Sequence, residues 1–220
     1  MYEYRDPSGR ARLAIGAIVL GMIANIIFAI GEYMSARAIE QYQKAAANIS
    51  ALERVDTIGM YTGIGGVISI VVTSMVAAFW INRVNKNAWV VDRGDMTITP
   101  GWNVGYFFVP FANLLLPFRG LRETLQVSTD PYDAPIIGVP ILTRLWWACW
   151  LIGGALNNIS LRMALKAETL DDFRQASWFN VYLSLFELIG AWLFIWVIRD
   201  ITRRQVENIP RCLADGVGAG

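Results

Sequence analysis

Four stretches of this chain, 13–31, 58–81, 142–165 and 178–198, run apolar for about as long as a bilayer is thick, and each is bounded by charge. A helix rising ~1.5 Å per residue needs roughly 20 apolar residues to cross a hydrocarbon core of ~30 Å. Inside lipid every backbone N–H and C=O must be satisfied within the segment or by a closed barrel, so runs of this length predict helices. The composition agrees, with 55% hydrophobic and only 17% charged residues among 220. The expectation is an all-α integral membrane protein with four transmembrane helices in a single domain over residues 1–205. Residues 206–220 decay into small residues and are expected to form a flexible C-terminal tail.

The first run could pass for a signal peptide, because Ala36-Arg37-Ala38 offers a small-x-small site. It is longer than an ordinary signal core and contains Asn25, so it is read as a span. Residues 32–56, rich in Ala, Glu, Gln and Lys, should extend the first two helices beyond the bilayer. After the second span, residues 82–98 carry Gly and Asp turn signals. Residues 128–141 hold three prolines and should be an irregular loop. Thr169-x-x-Asp172 has the pattern of a helix start, expected to open a short interfacial helix.

Composition also removes function classes. Lys plus Arg (19) nearly balances Asp plus Glu (18), so no basic field draws nucleic acid. There is no histidine, and the two cysteines sit in unlike settings, Cys149 in an apolar run and Cys212 in the polar tail. Haem, zinc and Cys/His nucleophile sites therefore lack their ligands, and no disulfide is expected. With no phosphate-binding Gly-rich loop and no nucleophile elbow, no catalytic, cofactor-binding or metal residue is assigned, and the chain is read as a non-enzyme.

The stretch "TPGWNVGYFFVPFANLLLPFRGLRE", 99–123, decides the topology. It is apolar enough to mimic a fifth span yet holds Pro110 and Pro117. If it does not cross, thirteen of the nineteen Lys and Arg share a side: Arg5, Arg10, Arg12, Arg83, Lys86, Arg93, Arg119, Arg122, Arg144, Arg199, Arg203, Arg204 and Arg211. The remaining six lie opposite. If it crosses, the bias vanishes. The positive-inside rule therefore favours four spans with both termini cytoplasmic, and an insert over about 101–127 that is re-entrant or interfacial. Pro110 and Pro117 should free the carbonyls of Tyr106 and Asn113, with Asn113 and Thr99 as local partners. Trp80, Trp146, Trp147 and Trp196 sit at the cytoplasmic ends of their spans, as in an interfacial belt, whereas Trp192 lies deeper and should pack.

The segment "PGWNVGYFFVPFANLLLPFRGLRETLQVS", with "FWINRVNKNA" before it and "LWWACWLIGG", "LRMALKAETLDDFRQAS" and "VIRDITRRQ" after it, resembles the bacterial family known as domain of unknown function 4328. The signature positions are Pro100, Gly101, Trp102, Gly105, Pro110, Asn113, Pro117, Arg122 and Glu123. The resemblance covers about 13–205 and implies a small multi-span protein of the bacterial inner membrane, with no catalytic residue, substrate or cofactor to carry over. Leu115 and Leu116 stand where the family pattern leads one to expect a basic or polar residue, which favours insertion over a surface position.

Glu187, halfway along the fourth run, is the sharpest polar candidate. A carboxylate at the bilayer centre costs ~2.5–3.5 kcal/mol on insertion scales, so it should face other helices and find a partner. Asn25, Asn157 and Asn158 are the candidate partners, and the group is either a proton or cation site or a packing device. Arg162 is expected to reach outward to Asp171 or Asp172. Gly59, Gly63 and Gly66 offer a small-residue helix contact, with a homo-oligomer open. Arg119, Arg122 and Glu123 should sit on an amphipathic exit helix with Leu121 and Leu125 toward the bilayer. Anionic lipid or a cytoplasmic protein would be the partner there. Two functions follow: a non-enzymatic organising or regulatory membrane protein acting through its cytoplasmic face, or a small proton- or cation-linked transporter or channel using Glu187.

Overall fold

The computed structural model describes residues 2–45, 49–92 and 94–216 and is all-helical over them. Six α-helices follow in order: α1 Ser8–Ala45, α2 Ile49–Val91, α3 Pro100–Gly105, α4 Leu116–Thr129, α5 Ile141–Lys166 and α6 Leu170–Ala214. Short 3₁₀ turns lie at Tyr106–Phe108, Ala112–Leu114 and Ala134–Ile136. Three helices, α1, α2 and α6, are long and apolar enough to cross a membrane. Only 11%, 17% and 33% of their most apolar windows is buried within the protein, so their hydrophobic faces are free for lipid. The expected span 142–165 is α5, which is long enough at 26 residues but carries Asn157, Asn158, Ser160 and Arg162 in its second half.

The chain forms two compact units. Unit 1 comprises residues 1–17, 73–147 and 193–220, and unit 2 comprises 18–72 and 148–192. The thirteen Lys and Arg assigned to one side all fall in the ranges of unit 1, and the other six all fall in unit 2. Arg93, one of the thirteen, lies outside the described residues.

Unit 1 is built on a stripe of α2, Trp80, Val84, Ala88 and Val91, at near-helical spacing and fully buried. Residues 82–91, read as a connection, continue α2 because Asn82, Asn85 and Asn87 all find partners. Asn82 Nδ2 donates to the Pro100 carbonyl (2.9 Å) and Asn85 Nδ2 to Thr124 Oγ1 (3.0 Å). Asn87 Nδ2 donates to the Arg5 carbonyl (2.8 Å) and to Gln205 Oε1 (3.0 Å). Gln205, also fully buried, donates to the Val84 carbonyl (2.6 Å) and Ser128 Oγ (2.9 Å). Buried polar groups are tolerated when paired in this way, and the pairs fix the register of α2, α4 and α6.

The expected flexible tail is instead the last turns of α6, which run to Ala214. Ile209 is buried, and Asn208 Nδ2 donates to the Ser128 and Thr129 carbonyls, orphans at the end of α4. Polar composition hid an apolar anchor. Residues 217–220 lie outside the described residues. The Trp residues are corrected too: Trp80, Trp146 and Trp147 are buried in unit 1, where Trp146 stacks on Phe194 and Trp147 on Phe118. They pack a core and do not form a belt, whereas Trp192, expected to pack, is 55% exposed.

At the ends, local chemistry sets the boundaries. Ser8 donates its backbone N–H to Asp6 Oδ1 (2.8 Å) at the start of α1. Hydrogen bonds from Ser8, first from its side chain, hold the Asp6 carboxyl below the ordinary range. Thr169 and Asp172 cap each other reciprocally, with Asp172 accepting from the Thr169 N–H (2.9 Å) and Oγ1 (2.7 Å). That cap opens the 45-residue α6, in place of the short interfacial helix expected there.

Candidate functional site

Two places gather the residues singled out by sequence, one in each unit. In unit 1 the signature segment is a hairpin. Pro100 opens α3 after extended Thr99, at a position where its missing N–H would have had no helical partner. The chain passes through the 3₁₀ turn Tyr106–Phe108 and reverses at Phe111, whose φ of 63° and ψ of −41° are near those of the rare γ-turn with positive φ. The Ala112 N–H donates to the Pro110 carbonyl (2.8 Å) across that turn. Pro117 then lies in the first turn of α4. The prolines thus border turns and do not kink a long helix, and the Tyr106 carbonyl is taken up by the Val109 N–H (3.4 Å).

The base of the hairpin is closed by buried groups. Glu123, 5% exposed, accepts from the Thr97 N–H (2.9 Å), Thr97 Oγ1 (2.6 Å), the Ile98 N–H (3.2 Å) and Arg119 Nε (2.9 Å). Asn103 is fully buried against Gly120, where a Cβ would stand 2.7 Å from Asn103 Cγ. Glycine is required there by contact. Leu121 and Leu125, expected toward the bilayer, are fully buried in the protein, on the helix whose Val127 packs with Ala88 and Val91 of α2 and Ile209 of α6.

The tip is the reverse. Phe108 and Phe111 are 79% and 85% exposed, with Val109, Leu114 and Leu115 exposed beside them. A bulky residue in a rare backbone region, displayed and not buried, is the kind of strain that persists at functional contacts. Arg122 is exposed and makes no ion pair among the described residues. Of the signature positions, Pro100 and Pro117 lie at the starts of α3 and α4, Gly101 and Gly105 lie within α3, Pro110 lies in the turn, and Glu123 clamps. Trp102 is exposed at 55% and stacks on Tyr106. The Asn113 N–H donates to the Val109 carbonyl (3.0 Å).

In unit 2, α1, α5 and α6 bring Glu187 to two of its three candidate partners. Asn25 Nδ2 donates to Glu187 Oε2 (2.7 Å), and Asn157 Nδ2 donates to Glu187 Oε1 (2.8 Å) and to the Gly153 carbonyl (3.0 Å). Asn158 is not part of this site. Its Oδ1 accepts from Arg162 Nε (2.8 Å), so Arg162 does not pair with Asp171 or Asp172. Asp171 instead pairs with Arg174. Gly59, Gly63 and Gly66 face open space, and the close approach of α1 to α2 is at Gly31, beside Thr62 and Ile58. Among the described residues no three Cys, Asp or Glu side chains converge as metal ligands would.

Sequence reasoning missed Glu32, which lies one residue beyond the expected end of the first span. Its carboxylate lies beside Ser177 and Asn180 of α6. The signal was present: Glu32 follows Asn25 by seven residues, two helical turns, which puts both on one face.

A family model described as domain of unknown function (DUF4328) matches residues 43–203. No curated protein and no solved structure matches the chain.

Proposed function

The chain belongs to the DUF4328 family, and we propose that it is a non-enzymatic multi-pass protein of the bacterial inner membrane that organises or regulates partners through the signature hairpin of unit 1. The observation that carries this reading is the contrast within the hairpin, a base clamped by Glu123 and a strained tip that displays Phe108 and Phe111. A rigid base with an apolar tip and a flanking free arginine is suited to insertion at a membrane interface with Arg122 toward anionic head groups or a cytoplasmic protein. Four crossings with both termini cytoplasmic fit the partition of thirteen Lys and Arg in unit 1 and six in unit 2.

Two measurements test it. A photo-crosslinking residue at Phe111 should capture lipid, and one at Arg122 should capture a protein or an anionic lipid in native membranes; capture of neither at Arg122 counts against the reading. For sidedness, Ile136→Cys in a chain lacking Cys149 and Cys212 should be labelled from the cytoplasm, since Ile136 is 81% exposed at the end of its 3₁₀ turn. Labelling from the periplasm overturns the topology.

A second reading is favoured by one observation, the seating of Glu187 between two amides from two other helices. It makes the chain a small proton- or cation-linked transporter or channel. Glu187→Gln in reconstituted vesicles should then abolish flux.

A further inference from the structure

Residues 2–7, ahead of α1, lie along α2 and are pinned to it. The Asn87 side chain holds the backbone of Arg5 from both sides, its Oδ1 accepting from the Arg5 N–H (3.2 Å) and its Nδ2 donating to the Arg5 carbonyl (2.8 Å). Tyr4 packs on the core around Ala88 and Val91, and Pro7 is buried. One turn back along α2, Arg83 Nη1 donates to the Glu3 carbonyl (3.4 Å). A further turn back, the Phe79 carbonyl accepts from Arg10 Nη1 (3.2 Å). Phe79, Arg83 and Asn87 follow at intervals of four and share one face of the helix, so Arg5, Arg10 and Arg83 gather along a strip roughly 12 Å long. Lys86 adds a fourth cation beside it, its Nζ 5.9 Å from the centre of the Tyr2 ring.

These cations are short of anions. Glu3 gives its carboxylate to Arg5 (3.4 Å) in a pair whose side chains are both mostly exposed, and Asp6 accepts from the Ser8 N–H at the start of α1. Arg10 and Arg83 make no ion pair among the described residues. Arg83 is only 9% exposed, and the bond to Glu3 serves one of its five N–H donors. A guanidinium buried in that state beside a second one calls for an anion. The level of the cluster says which anion. Leu13, about one turn of α1 beyond Arg10, and Phe79 of α2 are exposed, and from there both helices turn apolar side chains outward. With these helices in a bilayer, that level is the edge of the hydrocarbon, where head-group phosphates lie.

We propose that Arg10 and Arg83, with Arg5 at the rim, bind a phosphate group, that of an anionic phospholipid seated against Leu13 and Phe79. Guanidinium forks match phosphate oxygens in pairs, which an ammonium does not. The arm is already held in place by Asn87 and Tyr4, so binding has little ordering left to do. This site needs α1 and α2 to lie in a bilayer and needs nothing from the hairpin tip.

The full chain, purified in detergent and stripped of lipid, is titrated with phosphatidylglycerol or phosphatidylcholine, and bound lipid is counted by native mass spectrometry. Phosphatidylglycerol should bind about tenfold more tightly, and Arg10→Gln should cut that preference about fivefold. Arg83→Gln should remove it, and Arg83→Lys, which keeps the charge and loses the fork, should restore it only in part. Arg10 is exposed, so Arg10→Gln carries the test if Arg83→Gln fails to fold. Arg12→Gln removes the same charge two residues away on another face of α1, and should leave the preference intact. Equal losses in Arg12→Gln and Arg10→Gln, or no preference in the wild type, assign the binding to diffuse surface charge and overturn the site. Inorganic phosphate at the lipid's concentration should leave the lipid bound; displacement keeps the phosphate site and overturns the lipid as its occupant.

Discussion

Gln205→Ala is expected to destabilise the protein by roughly 3–5 kcal/mol, the sum of a core cavity and lost buried hydrogen bonds. Gln205 is fully buried and joins three helices at once, accepting from Asn87 of α2 and donating to the Val84 carbonyl of α2 and to Ser128 of α4. Its removal leaves Ser128 and Asn87 each one partner short. It also loosens the last turns of α6, which depend on the same contact with α4 through Asn208. Chemical unfolding in detergent measures the loss, and limited proteolysis should cut first within 206–214. Gln205→Leu separates the two contributions. It keeps most of the volume, so a loss close to that of alanine would assign the effect to hydrogen bonding, and a loss near zero would assign it to packing.

Glu123→Ala should follow at roughly 2–4 kcal/mol, because hydrogen bonds to a charged group contribute ~1.5–3 kcal/mol each and are not additive. Four donors converge on this carboxylate, and the Ile98 N–H is buried, so alanine leaves it with no acceptor. The segment before α3 should therefore come free. Hydrogen exchange at Thr97 and Ile98 reports it, and unchanged protection there would show that something other than Glu123 holds the base of the hairpin. Glu123→Gln should be milder, since one oxygen still accepts while the amide nitrogen meets N–H groups that it cannot satisfy. Arg119, about half exposed, contributes less, and Arg119→Ala is the control that should change stability little.

These two positions show where sequence reading ran short. Arg122 and Glu123 were marked together, by family resemblance and by their place on an amphipathic exit helix, but nothing in the linear pattern says that the carboxylate turns inward and the guanidinium outward. Leu121 and Leu125 were assigned to lipid because an apolar face looks the same whether a bilayer or a protein covers it. The tryptophans failed for the same reason. An aromatic at the end of an apolar run fits a membrane interface and a buried stack equally well, and the choice is made by neighbours such as Phe118 and Phe194 that lie far away in the chain. Nothing in the linear pattern marks Asn85, Asn87 and Gln205 as buried, since a polar residue reveals its partner only when both are placed.

What the sequence determined by itself is what depends on local periodicity and on solvent: an all-helical chain, four apolar runs of which three stand in helices long and apolar enough to cross a membrane, an insert at about 101–127 interrupted at its prolines, and membership of the family. Length and apolarity suffice for those, because lipid leaves a spanning chain few ways to satisfy its backbone. The tertiary structure decided which faces are covered by protein, that α2 and α6 run on into unit 1, and that Glu187 meets Asn25 and Asn157 but not Asn158. It also brought Glu32 to Ser177 and Asn180. Those outcomes turn on the rotation of one helix against another, and a shift of one residue, about 100° around the axis, would have aimed each side chain elsewhere.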